Sequence, residues 1–156
     1  MGKSAFSFFL IFLFPLSIFA FEVKANNIQY FFYKNEKLQW IFKAEKFFQK
    51  NSYEFFAEKV YITNPLKEFS IEGKKAMYNM QKDEFIIKGN VKLVTKDKGV
   101  LFTPKLVFFP NKQLIVGKDE VVLKRENIVI HGRGFFYDVK KGKFTITSQT
   151  RVEILN

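Results

Sequence analysis

A chain of 156 residues without a single cysteine has room for one modest domain, and it cannot build a disulfide framework, a thiolate nucleophile or a cysteine-ligated zinc or iron–sulfur centre. Its one histidine, His131, argues against a histidine-rich metal site and a Ser-His-Asp triad. A formal net charge of +11 invites an anionic partner, yet the lysines are spread singly and in pairs between apolar residues, as on the solvated face of a sheet.

The N-terminus carries the strongest local signal. Lys3 precedes an uncharged run from Ala5 to Phe21 built of Phe, Leu, Ile, Ala, Pro and Ser, and charge resumes at Glu22 and Lys24. A basic start followed by an apolar stretch is the layout of an export signal. As a helix rising about 1.5 Å per residue, the run would reach about 25 Å, the short end for a membrane span. Val23-Lys24-Ala25 could also serve as a small-residue cleavage site before Asn26, so a cleaved signal and a retained anchor both fit the residues. Residues 1–25 are therefore set apart as signal or anchor, and 26–156 as an exported domain.

From Asn26 onward the sustained period is two, the period of a half-buried strand. A turn signal at Asn35-Glu36 leads into Leu38, Trp40 and Phe42, which share one face with Gln39 and Lys43 opposite. A short helix over Ala44–Lys50 competes with the strand reading and is the weaker of the two. The alternation returns at Val91/Leu93, Val121/Leu123, Ile128/Ile130, Phe144/Ile146 and Val152/Ile154. Between these runs lie turn formers at Gln81-Lys82-Asp83, Lys96-Asp97-Lys98-Gly99, Pro110-Asn111-Lys112, Gly117-Lys118-Asp119 and Lys140-Lys141-Gly142. Such spacing predicts ten or more strands, each of about five to eight residues, in an all-β sandwich or barrel-like stack.

An internal repeat underlies the alternation. An apolar residue is followed two positions on by a small one, then by Lys or Gly, then directly by another apolar residue. The units are Phe42-x-Ala44-x-Lys46-Phe47, Phe55-x-Ala57-x-Lys59-Val60, Ile71-x-Gly73-x-Lys75-Ala76, Leu101-x-Thr103-x-Lys105-Leu106 and Ile130-x-Gly132-x-Gly134-Phe135. In each, the apolar positions change parity. A slip of one residue sends side chains to the other face, so a bulge or corner must absorb it. Repeated strand–corner–strand units that cannot bury their own apolar faces imply stacking into one continuous core, elongated, twisted and open.

Residues suited to chemistry are sparse. The carboxylates fall in turns or on polar strand positions, and no pair stands out for acid–base work. His131 alternates with Ile130 and reads as an outward strand residue. Gly132-Arg133-Gly134 lacks a third glycine and a following helix, so it does not cradle phosphate. Outside the leader the aromatic load is heavy, with fifteen Phe among the 22 of the chain, six Tyr and one Trp. Rings interleaved with lysines could stack on single-stranded nucleic acid, a partner that an export signal argues against. They could also fill a solid core, or line an apolar trough for acyl chains.

From about Trp40 to Ile154 the sequence resembles the LptC family of lipopolysaccharide transport proteins, within the wider group that includes LptA. The likeness rests on Ala57–Lys59 and Ala76–Tyr78, above all on Gly89-Asn90-Val91-Lys92-Leu93, then on Leu101-x-Thr103-x-x-Leu106-x-Phe108, Val121-x-Leu123, Ile130-x-Gly132-x-Gly134-Phe135-x-Tyr137-Asp138 and Val152-x-Ile154. It implies a twisted open antiparallel β-jellyroll preceded by one N-terminal apolar helix. The interior would receive lipopolysaccharide along Trp40, Phe42, Ile71, Tyr78, Phe85, Val91, Leu106, Phe108, Val121 and Tyr137. It also implies strand addition at both edges, with an inner-membrane ABC transporter of the LptB/LptF/LptG type at the N-terminal edge. An LptA-like protein would dock on the C-terminal edge at Arg151, Val152, Glu153 and Ile154. No enzymatic activity, cofactor, metal or nucleic acid is expected. The implied location is the inner membrane, crossed once, with the bulk of the chain in the periplasm. An LptA-like soluble protein with a cleaved signal and a structural envelope module with a solid core remain as alternatives.

Overall fold

The computed structural model describes residues 22–97 and 99–156. Nine strands follow one another there: β1 (Val23–Lys34), β2 (Lys37–Gln49), β3 (Glu54–Asn64), β4 (Phe69–Asn79), β5 (Glu84–Val94), β6 (Val100–Phe109), β7 (Leu114–Arg125), β8 (Ile128–Asp138) and β9 (Lys143–Ile154). Every neighbouring pair is antiparallel and the order in the sheet is the order in the chain, so β1 and β9 are its two edges. No helix among the described residues is long and apolar enough to cross a membrane. The apolar helix expected near the N-terminus lies outside the described residues.

Two expectations from the sequence are corrected. The strands are fewer and longer, nine in the described chain with lengths from 10 to 13 residues. Gly117-Lys118-Asp119 is no turn: it lies inside β7, where the pairing with β8 shifts between Gly117 and Glu120. The physical reason is shared. A break in apolar parity looks like a strand end in the sequence, whereas the backbone bends there and continues. Ala44–Lys50 belongs to β2 through Gln49, with Ala44 opposite Val60 and Phe47 opposite Ala57, so the competing helix is absent.

The parity changes form one line across the sheet. In β2 burial passes from Phe42 and Ala44 to Phe47, in β3 from Phe55 and Ala57 to Val60 and Ile62, and in β4 from Phe69 and Ile71 to Ala76 and Tyr78. At each step two successive residues face solvent, which re-aims the following side chains inward. β5 and β7 solve the same bend differently. They keep parity across a four-residue step, from Ile87 to Val91 and from Gly117 to Val121. In β5 the step is made by Gly89 at φ 91° and Asn90 at φ 47°, two left-handed residues in succession.

Bent along this line, the single sheet folds into two halves that face each other. Trp40 and Phe42 on one half meet Phe108 and Phe85 on the other, with ring centroids 4.5 and 5.5 Å apart. Phe69 lies 6.1 Å from Phe108 and 6.4 Å from Tyr137. The core is the space between the halves. Tight hairpins close the ends of the strands, as at Asn35 and Glu36, both at positive φ.

Candidate functional site

The interior is the candidate site. All ten residues expected to line it are buried, from Ile71, Val91 and Phe108 at 0% exposure to Trp40 at 6%, and all ten belong to one apolar cluster. Their inward direction follows from strand period and bend together. Lys92, between Val91 and Leu93, faces outward.

Sequence reasoning missed several lining residues: Tyr30 and Phe32 of β1, with Phe47, Phe55 and Phe69. Tyr30 packs 5.5 Å from both Phe47 and Phe55, and Phe32 packs 6.4 Å from Phe85. The signal was present, since Ile28, Tyr30 and Phe32 alternate and Phe55 opens one of the repeat units. Through β1–β6 the two halves are in ring-to-ring contact, tightest at 4.5 Å between Trp40 and Phe108.

The packing loosens toward the C-terminal edge. Ile130, Phe144 and Ile146 are only partly buried against the cluster. Ile128, Val152 and Ile154, on the same inward parity, are exposed by 37%, 56% and 67%. These three leave apolar side chains exposed at the open C-terminal edge.

Apart from the buried amides of Gln49 and Asn64, which bond to the adjoining turns, the polar groups at the interior are hydroxyls. Burial pushes the Tyr30, Tyr78 and Tyr137 phenols up from their ordinary value, and for Tyr78 the nearby Asp83 carboxylate adds to the effect. The Tyr78 hydroxyl donates to Asp83 Oδ1 at 3.3 Å, and Asp83 Oδ2 accepts the Asn111 backbone N–H at 2.8 Å. That pair ties the β4–β5 turn to the β6–β7 turn at one end of the interior. Burial raises the Asp83 carboxyl, against the opposing hydrogen bonds and the charge of Lys112. Among the described residues no group of three or more His, Asp or Glu could hold a metal ion. What remains is an apolar lining with a few hydroxyls, suited to solvating hydrocarbon.

The expected docking edge is an open edge. Among the described residues β9 pairs only with β8, and Val152 opposes Ile130. On its outer face Arg151 lies 3.7 Å and His131 3.2 Å from Glu153, so His131 is the outward residue that its alternation implied. The strand end is pinned where the Leu155 N–H donates to the Asn127 carbonyl at 2.8 Å.

The model of the family described as lipopolysaccharide-assembly, LptC-related, matches residues 21–154. The chain belongs to the LptC-related family. Membership makes it a component of lipopolysaccharide transport in the general sense. Among solved structures, this LptC-related chain is similar to LptH of Pseudomonas aeruginosa, described as the LptA homologous periplasmic component of the conserved lipopolysaccharide transport device. That match has a TM-score of 0.62 at 11% identity and covers 75% of this chain and 95% of that one, a likeness of fold. No curated protein matches the sequence. The nine-stranded open antiparallel sheet of this LptC-related chain is thus LptA-like.

Proposed function

We propose that this LptC-related protein accepts lipopolysaccharide from an inner-membrane ABC transporter of the LptB/LptF/LptG type and passes it through the interior of its sheet to an LptA-like periplasmic protein. The observation that carries the reading is the interior itself: an aromatic and aliphatic lining between two half-sheets, with apolar side chains exposed at the β9 edge. The acyl chains occupy that lining. Because the rings already touch through β1–β6, the halves must part along the bend to admit them. A passive interior supplies no free energy, so direction comes from the transporter. The open β1 and β9 edges take the neighbouring proteins by strand addition. The protein has no catalytic step and needs no cofactor.

The uncharged run 5–21 stays attached and crosses the inner membrane once, with Lys3 cytoplasmic. Supporting this, β1 already begins at Val23, which pairs with Gln49. Cleavage after Ala25 would remove the first three paired residues of the sheet. Mass spectrometry of membrane-extracted protein tests it, and a mature N-terminus at Asn26 would favour the LptA-like soluble alternative.

The ring packing also favours a second reading, a structural module whose solid core admits nothing. A photo-crosslinking residue separates the two. Placed at Phe108 or Val121 it should capture lipopolysaccharide, and placed at outward Lys92 it should not. Equal labelling of both faces, or none at Phe108 and Val121, overturns the transport path.

A further inference from the structure

The outer face of the sheet carries an apolar row that neither the core nor the open edges use. Lys24 of β1 opposes Phe48 of β2, Phe48 opposes Phe56 of β3, and Phe56 opposes Met77 of β4. The row continues strand by strand through Ile86, as far as Phe136 on β8. Phe56 is exposed by 37%, and it stacks with Phe48 at 6.5 Å between centroids. Lys24 Nζ lies 5.8 Å above the Phe48 ring.

One step toward the bend runs a second row, and it is basic. Lys46 opposes Glu58, Glu58 opposes Lys75, and Lys75, Lys88 and Lys105 then oppose one another directly. Like charges facing each other across strands destabilise a sheet, so three lysines in succession are a cost that an anionic partner would relieve. At the β1–β4 end the two rows meet in a cleft of about 590 Å³ lined by Lys24, Lys46, Lys75, Phe48, Phe56 and Glu58, its one carboxylate.

We infer that this patch docks on an anionic phospholipid bilayer, the surface of the same membrane in which the proposed anchor sits. The inference rests on that anchor reading. The uncharged run ends at Phe21 and Lys24 is three residues later, a reach of about 10 Å even when fully extended. The bilayer surface is therefore what the patch meets first, ahead of any acidic protein. Rings beside lysines suit that interface: the rings enter the headgroup region and the ammonium groups stay among the phosphates. Strand twist of about 20–25° per step limits how much of the row can lie on a plane. Contact is thus confined to β1–β4, and the apolar row beyond β5 turns away.

The absence of cysteine makes the test direct. A single F56C or F102C, each in the full-length protein, gives one thiol for an environment-sensitive dye; Phe102 is exposed on the outer face of the other half-sheet. Each labelled protein is reconstituted in nanodiscs of phosphatidylglycerol with phosphatidylethanolamine, or of phosphatidylcholine alone, doped with a nitroxide-headgroup lipid. The dye at 56 should be quenched strongly in anionic discs, several-fold less in neutral discs or at high salt, and the dye at 102 weakly in both. K24E/K46E/K75E in the F56C protein should reduce quenching to the level seen at 102. At roughly fivefold per lysine near a charged surface, that triple change is large. Equal quenching at 56 and 102, or quenching indifferent to lipid charge and to the lysines, overturns the inference. Co-elution with discs reads the anchor separately. Capture by anionic discs alone would sink the anchor while the docking stands, and capture by neither would sink both.

Discussion

Gly117 sits on the inside of the bend in β7, opposite Phe135, and a Cβ there would collide with the Phe135 ring. Gly117→Ala should destabilise the protein by about 1–3 kcal/mol, the usual cost of overpacking. Adding Phe135→Leu should return part of that loss, a coupling that urea unfolding of the single and double variants would measure. Two turn carboxylates should respond to pH in opposite senses. Burial raises Asp83 above its ordinary value of 3.8. Its contribution is complete below the unfolded pKa and is lost as pH rises through the higher folded one, so Asp83→Asn should cost less at neutral pH than in acid. Asp97 is lowered, first by the hydrogen bond from the Thr95 hydroxyl and further by Gly99 N–H and Arg125. Its contribution is present above the unfolded pKa and is lost as pH falls through the folded value. Asp97→Asn should therefore weaken the protein at neutral pH, with the deficit fading in acid. Urea titrations of both variants at neutral and acidic pH check the crossing trends.

At the scale of the strand, β9 divides in its packing. Its first part packs Phe144 4.5 Å from Tyr137, while Val152 and Ile154 stand exposed. Removing residues 150–156 should abolish capture of an LptA-like partner and leave a folded β-sheet, with the thermal midpoint lowered by something on the order of 5 °C. A pull-down and a circular dichroism melt read the two effects, and unchanged affinity would place the docking edge elsewhere. The strands themselves were legible because their period is two and their turns are chemically distinct. The five repeat units fall on β2, β3, β4, β6 and β8, each at a bend. β5 and β7 escaped the motif because they keep parity through the bend, and Gly117 thereby passed for a turn. Ten interior residues were readable from the alternation and the repeat units taken with the family resemblance. Tyr30 and Phe32 were overlooked because β1 adjoins the leader, and the outer row from Lys24 to Phe136 depends on register between strands, which no single strand's sequence carries.

For the molecule as a whole, the two half-sheets are joined only through the bends, and their contact is made by rings. Trp40, the one tryptophan of the chain, is 6% exposed and packs 4.5 Å from Phe108 across the interior. Loading with lipopolysaccharide should part that pair and change the intensity and wavelength of Trp40 emission, whereas a headgroup fragment without acyl chains should not. Unchanged emission on saturable binding would put the lipid outside the core.

The strand order carries a further consequence, for how the protein comes to be folded. Each strand bonds only to the strands directly before and after it in the chain. The loops to be closed are therefore short hairpins, contact order is low for an all-β protein, and the entropic cost of each closure is small. A chain emerging N-terminus first can add one strand at a time to a finished edge, with no need to wait for its C-terminus. Contacts across the interior, such as Trp40 with Phe108, form only once β6 has arrived and the sheet can bend over itself. Every stage of this growth presents the same kind of free edge that the completed protein keeps at β9.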